Sequence, residues 1–269
     1  MAHDQADDDY VLGRDISDSI RHDCFLLDAQ HLLWKLHNRY TLHPAIPNIW
    51  LFDLAQDLPD TIHLHGYDIS PRQFPPEQLW TSNVKLRLMD SLRDPPEALH
   101  GKYDLVHLRM WASNLRTKEV KLVIRSVSKL LKPGGYIQCE EANLLNQDVR
   151  SVAGKDFEVQ VNKLFVFAGL DYSWVTHLPL SLASYGMTII EHKERQFSPG
   201  LIQIGTNTYL MALREILAGI KRTSSCTDHA LLQTCEKGLD ELVASRADGL
   251  VYNWGPVSLL AQKFCSARI

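Results

Sequence analysis

The feature that most constrains the fold of this 269-residue chain is its alternation of short apolar runs with helix-forming segments. Three runs have the length and composition of buried strands: residues 62–67, 84–89 and 103–109. Residues 117–131 carry apolar side chains at helical spacing, and Pro133-Gly134-Gly135 then turns the chain into a further strand at 136–139. Strands that alternate with helices in this way predict an α/β fold with a doubly wound, mostly parallel sheet.

The expected beginning of such a sheet is missing from the sequence. In a doubly wound sheet the first strand is central, and a glycine-rich loop follows it. Here the proline-containing connector at 43–47 runs straight into residues 49–58, which contain no glycine. A strand in 49–58 leaves only about eight residues before the next strand, whereas a parallel crossover needs about a dozen or more. We therefore favour a helix here, ended by Pro59, so that the central first strand is absent.

Length and patterning indicate one large domain with an N-terminal addition. Residues 1–9, which include the acidic stretch Asp4 to Asp9, are predicted to be a disordered tail. Residues 10–47 are predicted to be a helical extension, with a helix over 15–40, and residues 48–269 to be the α/β domain. Towards the C-terminus, residues 250–254 and 257–263 are apolar, and predict either a final antiparallel strand or a short helix.

Composition excludes several classes of function. A formal net charge of -4 and a pI of about 6.3 give no electrostatic basis for binding nucleic acid. No apolar run approaches the roughly 20 residues that cross a membrane. The five cysteines are widely spaced and form no metal-binding pair, so we expect no metal site and a reducing, cytoplasmic location.

Acidic residues end two successive predicted strands. Asp68 follows the strand at 62–67, and Asp90 follows the strand at 84–89. Ligands of open α/β sheets bind at the carboxyl ends of the strands, where an acid accepts hydrogen bonds from the ribose of an adenosine cofactor. The alternative is that each aspartate closes a local turn. Two acids at successive strand ends favour the cofactor interpretation, with Asp68 at the ribose and Asp90 beside the adenine.

The strand Tyr103–Arg109 contributes a second pair of candidates. His107 and Arg109 fall at or near its carboxyl end, where His107 is a candidate general base and Arg109 a candidate cofactor contact. Their alternative roles are a satisfied core histidine and a paired arginine. Glu140 and Glu141 follow the next strand, and because consecutive strand residues face opposite sides, we do not expect them to act as one acid/base pair.

An ordered set of segments resembles a known family. The set comprises Tyr10, Gly13-Arg14, residues 31–34, 42–47, 49–55 and 66–70, the strand Tyr103–Arg109 and residues 130–141. Together they resemble the fungal LaeA/UMTA-type family of class I S-adenosylmethionine-dependent methyltransferases, over about residues 10–200. In that family an apolar strand, an acid and a Gly-x-Gly-x-Gly loop separate the connector from Ile-Trp. Here Asn48 alone separates Pro47 from Ile49-Trp50.

The resemblance implies a function and leaves one alternative. It implies a Rossmann-like methyltransferase that uses S-adenosylmethionine to methylate a small molecule in fungal secondary-metabolite biosynthesis, with other biosynthetic enzymes as candidate partners. It places Asp68 at the ribose and Asp90 at the adenine. The alternative is a non-catalytic accessory protein that lost activity with its loop. The gap itself has three explanations: a skipped segment in the gene model, a degenerate family member, or another segment, such as 42–52, in the central position.

Overall fold

A computed structural model describes residues 19–39, 55, 58–71, 74–112, 115–223, 228–244 and 249–265. Its helices, in chain order, are α1 Ser19–Asn38, α2 Thr117–Leu130, α3 Val152–Phe167, α4 Ser173–Thr176, α5 Leu178–Ser184, α6 Ile202–Thr223 and α7 His229–Ala244. Its strands are β1 Leu64–Asp68, β2 Val84–Leu88, β3 Tyr103–Arg109, β4 Leu131–Arg150, β5 Met187–Glu194 and β6 Val251–Lys263. Strands and helices alternate as predicted, and the fold is α/β.

The strands form two sheets. β1 pairs with β2 in parallel, and β3, β4, β6 and β5 form a second sheet in that order. In a doubly wound sheet the first strand lies between the second and the fourth along the chain, which correspond here to β1 and β3. Among the described residues no strand pairs with the remaining edge of β1 or of β3. The described sheet is therefore divided at the position of the predicted missing strand.

Within the larger sheet, β3 and β4 are parallel, and β6 runs antiparallel to both β4 and β5. This settles the choice left open by the sequence, since Val251–Lys263 is an antiparallel strand. Inserted between two neighbours, β6 is buried along most of its length. Helices cover both faces of this sheet, as a doubly wound fold requires: α1 and α6 lie on one face, and α2 and α5 on the other.

The N-terminal helix α1 is part of the core. Leu33 and Trp34 are completely buried, and the Trp34 ring contacts Trp254 of β6 edge to face. Trp254 also stacks edge to face on Phe197, and its indole N–H donates to the carbonyl of Gly205 in α6. Aromatic residues of this size dominate core energetics, so α1 is held by the same aromatic cluster that anchors α6 to the sheet.

The predicted turn at Pro133-Gly134-Gly135 appears as an irregularity between β3 and β4. Tyr103 pairs with Leu131 but Leu105 pairs with Tyr136, so four residues of β4 bulge opposite one residue of β3. A Cβ on Gly135 would lie 3.0–3.2 Å from three backbone carbonyl oxygens. Only glycine allows so close an approach of two backbones, which explains why this turn ends in glycine.

Side chains connect the two sheets across the gap. The Tyr103 hydroxyl at the start of β3 lies 2.8 Å from Nδ1 of His65 and 2.5 Å from the Tyr67 hydroxyl, both in β1. Burial and the neighbouring Arg87 lower the pKa of His65, so its ring is neutral at neutral pH and shares a hydrogen bond with the Tyr103 hydroxyl, which shares a second one with Tyr67. A small apolar cluster of Leu64, Val84 and Leu260 lies beside these contacts. Contacts between side chains thus hold β1 and β2 against the larger sheet.

Replacing Tyr103 with Phe should therefore destabilise the protein by about 1–2 kcal/mol, because one hydroxyl makes two of these hydrogen bonds. The matched control is Tyr136→Phe, since Tyr136 packs against the same apolar cluster without a hydrogen bond in the described structure. Urea denaturation of the two variants measures the difference. Equal stability of the variants would show that the hydroxyl contributes nothing to holding the sheets together.

Several predictions fall outside the described residues, namely the acidic tail at 1–9, the connector at 43–47 and most of the segment 49–58. Within that last segment Ala55 has helical backbone, which agrees with the predicted helix. The division of the chain at residues 9 and 47 stays a prediction. Among the described helices, none has both the length and the apolarity that crossing a membrane requires.

Candidate functional site

The two predicted cofactor acids lie side by side. Asp68 ends β1 and pairs in register with Leu88 of β2, two residues before Asp90. The backbone N–H of Met89 donates to the Asp68 carbonyl at 2.9 Å, which extends the ladder to the end of both strands. The parallel direction of β1 and β2 thus brings both carboxylates to one edge of the smaller sheet, as the sequence predicts.

Each aspartate also closes a local turn. Asp68 Oδ1 accepts from the backbone N–H of Ser70 at 2.9 Å, and Asp90 Oδ1 accepts from that of Leu92 at 2.9 Å. Asp90 Oδ2 forms an ion pair with Arg93 at 3.0 Å. A carboxylate has about four acceptor positions, so these turns orient the side chains and are compatible with a ligand. The turn and cofactor roles, which the sequence presents as alternatives, do not exclude one another.

His107 and Arg109 meet a buried carboxylate, Glu140 of β4. Arg109 donates through Nε to Glu140 Oε2 at 2.6 Å, with its Nη2 at 2.5 Å, and His107 Nε2 lies 3.2 Å from the same oxygen. Gln138 and Asn38 each donate to Glu140 Oε1 at 3.0 Å. These five residues are called the Glu140 network below. Glu140 is completely buried, so all its polar partners come from the protein.

The Glu140 network includes α1. Asn38 of α1 donates to Glu140 and accepts from the Ser258 hydroxyl of β6 at 3.1 Å. Two helical turns earlier in α1, His31 Nδ1 accepts a hydrogen bond from Nη1 of Arg109 at 3.1 Å. Hydrogen bonds to buried charged groups are among the stronger ones in proteins. Polar contacts therefore fix the position of α1 over the carboxyl end of β3, beside its apolar contacts.

The charges in the network are balanced. Burial acts to raise the pKa of Glu140, but the hydrogen bond from His107 and the guanidinium of Arg109 outweigh it, and the pKa falls to about 2. Burial lowers the pKa of His107 despite the neighbouring Glu140. At neutral pH the network thus contains an ionised Glu140, a charged Arg109 and a neutral His107 whose Nε2–H donates to the carboxylate.

The sequence identifies His107 and Arg109 but misses their partner. The role of His107 as a general base and the contact of Arg109 with the cofactor remain predictions. What the structure shows is that both side chains contact Glu140. A signal was available: His107 and Arg109 are two residues apart in one strand, Gln138 and Glu140 are two apart in the next, and both pairs therefore project to one face. The parallel register pairs His107 with Gln138 and Arg109 with Glu140.

Glu141 faces the other side of the sheet, as the strand alternation predicts. Its two carboxyl oxygens accept from the backbone N–H groups of Trp111 and Ala112, at 3.1 and 3.0 Å, just after β3. Leu108, Trp174 and other apolar side chains surround it, and it is 1% exposed. Burial raises the pKa of Glu141 to about 8 although the two backbone hydrogen bonds oppose the shift. The carboxyl group thereby closes the segment that follows β3.

The described residues fit one part of an adenosine cofactor. Asp68 and Asp90 stand at adjacent strand ends, where carboxylates accept from ribose hydroxyls and an adenine amine. The glycine loop that lets backbone approach the rest of such a cofactor has no counterpart in the sequence. The two acids predicted for a nucleoside site therefore stand at adjacent strand ends, whereas the predicted glycine loop is absent from the sequence.

Comparison with known proteins identifies relatives among fungal methyltransferases. N-methyltransferase verN of Clonostachys rogersoniana is 37% identical over 92 residues, 34% of this chain and 32% of that protein. N-methyltransferase tcpN of Claviceps purpurea is 39% identical over 98 residues, 36% and 34% of the two chains. Over these segments the chain is similar to fungal N-methyltransferases. The secondary metabolism regulator laeA of Coprinopsis cinerea is a further relative, 27% identical over 119 residues, 43% of this chain and 26% of that protein.

The similarity to these relatives is partial. The matched segments span about a third of the length of verN and of tcpN, and no family model matches the chain. Among solved structures, the cyclase SpnF aligns with a TM-score of 0.42 and 14% identity, over 76% of this chain and 67% of that one. Because this score is low, the assignment of the fold rests on the strand order and directions given above.

Proposed function

We propose that this chain binds S-adenosylmethionine at the carboxyl ends of β1 and β2 and methylates a small molecule of fungal secondary metabolism in the cytoplasm. The observation that carries the proposal is the position of Asp68 and Asp90 at the carboxyl ends of two paired parallel strands, in a chain whose relatives include N-methyltransferases. The names of these relatives favour nitrogen as the acceptor atom.

In such a reaction the side chains of the protein mainly bind and orient the cofactor and the substrate. When bound, the cofactor supplies a methyl group already activated as a sulfonium, so that alignment and exclusion of water account for much of the catalysis. Asp68 would accept from the ribose and Asp90 would contact the adenine. Arg109 and His107 would border the site from the end of β3, with His107 neutral and therefore competent to accept a proton.

A specific observation favours a second candidate function. The described sheet is divided between β1 and β3, where the first strand and its glycine loop normally make the closest contact to the cofactor. A family member without that element is a candidate accessory protein, which assists a biosynthetic enzyme and transfers no methyl group. The two candidates differ in one measurable property, the affinity for S-adenosylmethionine.

Titration calorimetry of the purified chain with S-adenosylmethionine separates the candidates. The methyltransferase proposal requires saturable binding with one site per chain. Absence of heat at about millimolar cofactor, corresponding to less than about 4 kcal/mol of binding free energy, would contradict it and favour the accessory role. Sequencing the native transcript tests the origin of the gap. A transcript that encodes an additional glycine-rich stretch would show that the gene model skips a segment, and a transcript without one would exclude this explanation.

Given binding, Asp68→Ala should weaken S-adenosylmethionine affinity by about 1–3 kcal/mol, the scale of lost hydrogen bonds to a charged group. The matched control is Asp104→Ala, because Asp104 lies near the start of β3 and pairs with Lys132 at 2.7 Å on the surface. Calorimetry of both variants reports the effect. Equal affinities in wild type and Asp68→Ala would assign Asp68 to its turn with Ser70 alone.

A further inference from the structure

Helix α3 (Val152–Phe167) is apolar on two sides. One side packs into the core through Gly154, Phe157, Val161, Leu164 and Phe165. The other side is in solvent: Val152 and Val166 are each 77% exposed, Phe167 is 65% exposed and Val159 is 53% exposed. A helix that is apolar all round is normally buried. The outer side of α3 is therefore a candidate contact surface.

Helix α2 shows the usual pattern for comparison. Its buried side is apolar, whereas exposed positions carry Lys118, Lys121 and Arg125. On α3 three exposed valines stand between the exposed charged and polar residues. Val152, Val159 and Val166 are spaced by seven residues, so they form one stripe about 21 Å long. We call these three valines the α3 stripe.

Charged residues of opposite sign border the α3 stripe on one flank. Asp156 and Lys163 are also seven residues apart, and helical geometry puts both on the same side of the stripe. Both are exposed, and neither has an ion-pair partner among the described residues. The other flank carries Lys155 and Asn162, with no acid to match the lysine.

We propose that α3 binds α3 of a second copy of this chain, antiparallel and about a two-fold axis near Val159. The two-fold axis makes the contact self-complementary. It places Val152 near the partner subunit's Val166. It also places Asp156 opposite the partner subunit's Lys163, and the symmetry produces this pair twice. On the other flank Lys155 meets the partner subunit's Asn162, so like charges do not meet.

The orientation decides which lysine meets Asp156. A parallel two-fold pairing would bring opposite flanks of the stripe together and place Asp156 near the partner subunit's Lys155, with Lys163 opposite the partner subunit's Asn162. Only the antiparallel pairing matches the two charges of the Asp156 flank with each other. One helix face buries less than the roughly 800 Å² per partner of a standard stable interface. We therefore expect a reversible dimer with a dissociation constant on the order of micromolar.

Sedimentation velocity of the full chain tests the contact. Wild type should pass from monomer to dimer between about 1 and 100 µM, and Val159→Lys should remain monomeric with an unchanged far-UV spectrum. Leu180→Lys is the matched control, since Leu180 is 73% exposed on α5, away from the stripe, and its replacement should leave the dimer intact. A wild type that stays monomeric throughout this range would overturn the proposal.

Charge reversal tests the orientation independently of folding. Asp156→Lys and Lys163→Asp should each weaken the dimer by about tenfold, because each turns two attractions into two repulsions. The double variant should recover most of the wild-type affinity. Single variants without effect, or a double variant weaker than either single one, would contradict the antiparallel pairing. None of these measurements involves S-adenosylmethionine, so their outcome is separate from that of the proposed function.

Discussion

Replacing Arg109 with Met is expected to lower the free energy of unfolding by about 3–5 kcal/mol, the usual cost of removing one partner of a buried ion pair. The loss leaves Glu140 completely buried with an uncompensated charge. His107 cannot replace the guanidinium, because burial lowers the pKa of its ring and keeps it neutral. The variant also removes the contact to His31, so α1 should lose part of its attachment.

The matched control is Arg125→Met in α2. Arg125 pairs with Asp94 at 2.8 Å, but the two side chains are 53% and 48% exposed, and such a pair contributes only about 0–1 kcal/mol. Urea denaturation at neutral pH compares the variants. If Arg109→Met costs no more than Arg125→Met, the Glu140 network is not a significant source of stability, and protonation of Glu140 offsets the loss of its partner.

Glu141→Gln is expected to remove a pH dependence of stability that the wild-type protein shows between about pH 4.5 and pH 8. In the fold the pKa of Glu141 is raised from 4.5 to about 8 by burial. Across this window the native state holds a proton that the unfolded chain releases, so stability falls as pH rises. A shift of this size amounts to about 3–5 kcal/mol between the ends of the window.

The glutamine variant itself has a cost at low pH. Its amide has one carbonyl oxygen for the two backbone N–H groups of Trp111 and Ala112, so we expect a loss of about 1–3 kcal/mol near pH 5. Toward pH 8 the difference should shrink or reverse in sign. Glu140 does not interfere, because its lowered pKa adds stability as pH rises from about 2 to 4.5, below the window.

Urea denaturation of both proteins at pH 5, 6, 7 and 8 measures this difference directly. Histidines titrate in the same range, but they are common to both proteins and cancel when the two are subtracted. Parallel pH profiles for wild type and variant would show that Glu141 is ionised in the fold, with the two backbone N–H groups sufficient to stabilise its charge.

Much of the fold follows from local periodicity. The strand at 103–109 has the predicted bounds, and the helix of 117–131 ends one residue earlier, at Leu130. The strand at 251–263 was ambiguous, because its apolar run has no alternation. Burial from both sides explains this: β6 lies between β4 and β5 and needs apolar side chains on both faces.

The division of the sheet was also predictable, since it depends on chain length. A strand within residues 49–58 would leave only about eight residues for its crossover to the next strand, and β1 and β3 have no strand between them among the described residues. What replaces the strand was not predictable. The contact of Tyr103 with His65 and Tyr67 joins residues 38 and 36 positions apart, and no local pattern indicates which side chains meet across a gap.

In the candidate site, too, some features follow from the sequence and others only from the tertiary structure. The sequence by itself determined the α/β alternation, the acids at successive strand ends and the opposite orientation of Glu140 and Glu141, because each depends on residues that are neighbours along the chain. Only the tertiary structure decided that Glu140 joins His107, Arg109 and Asn38, which lie 33, 31 and 102 positions away. Strand register and the docking of α1 arise from packing between distant segments, and local preferences along the chain do not specify them.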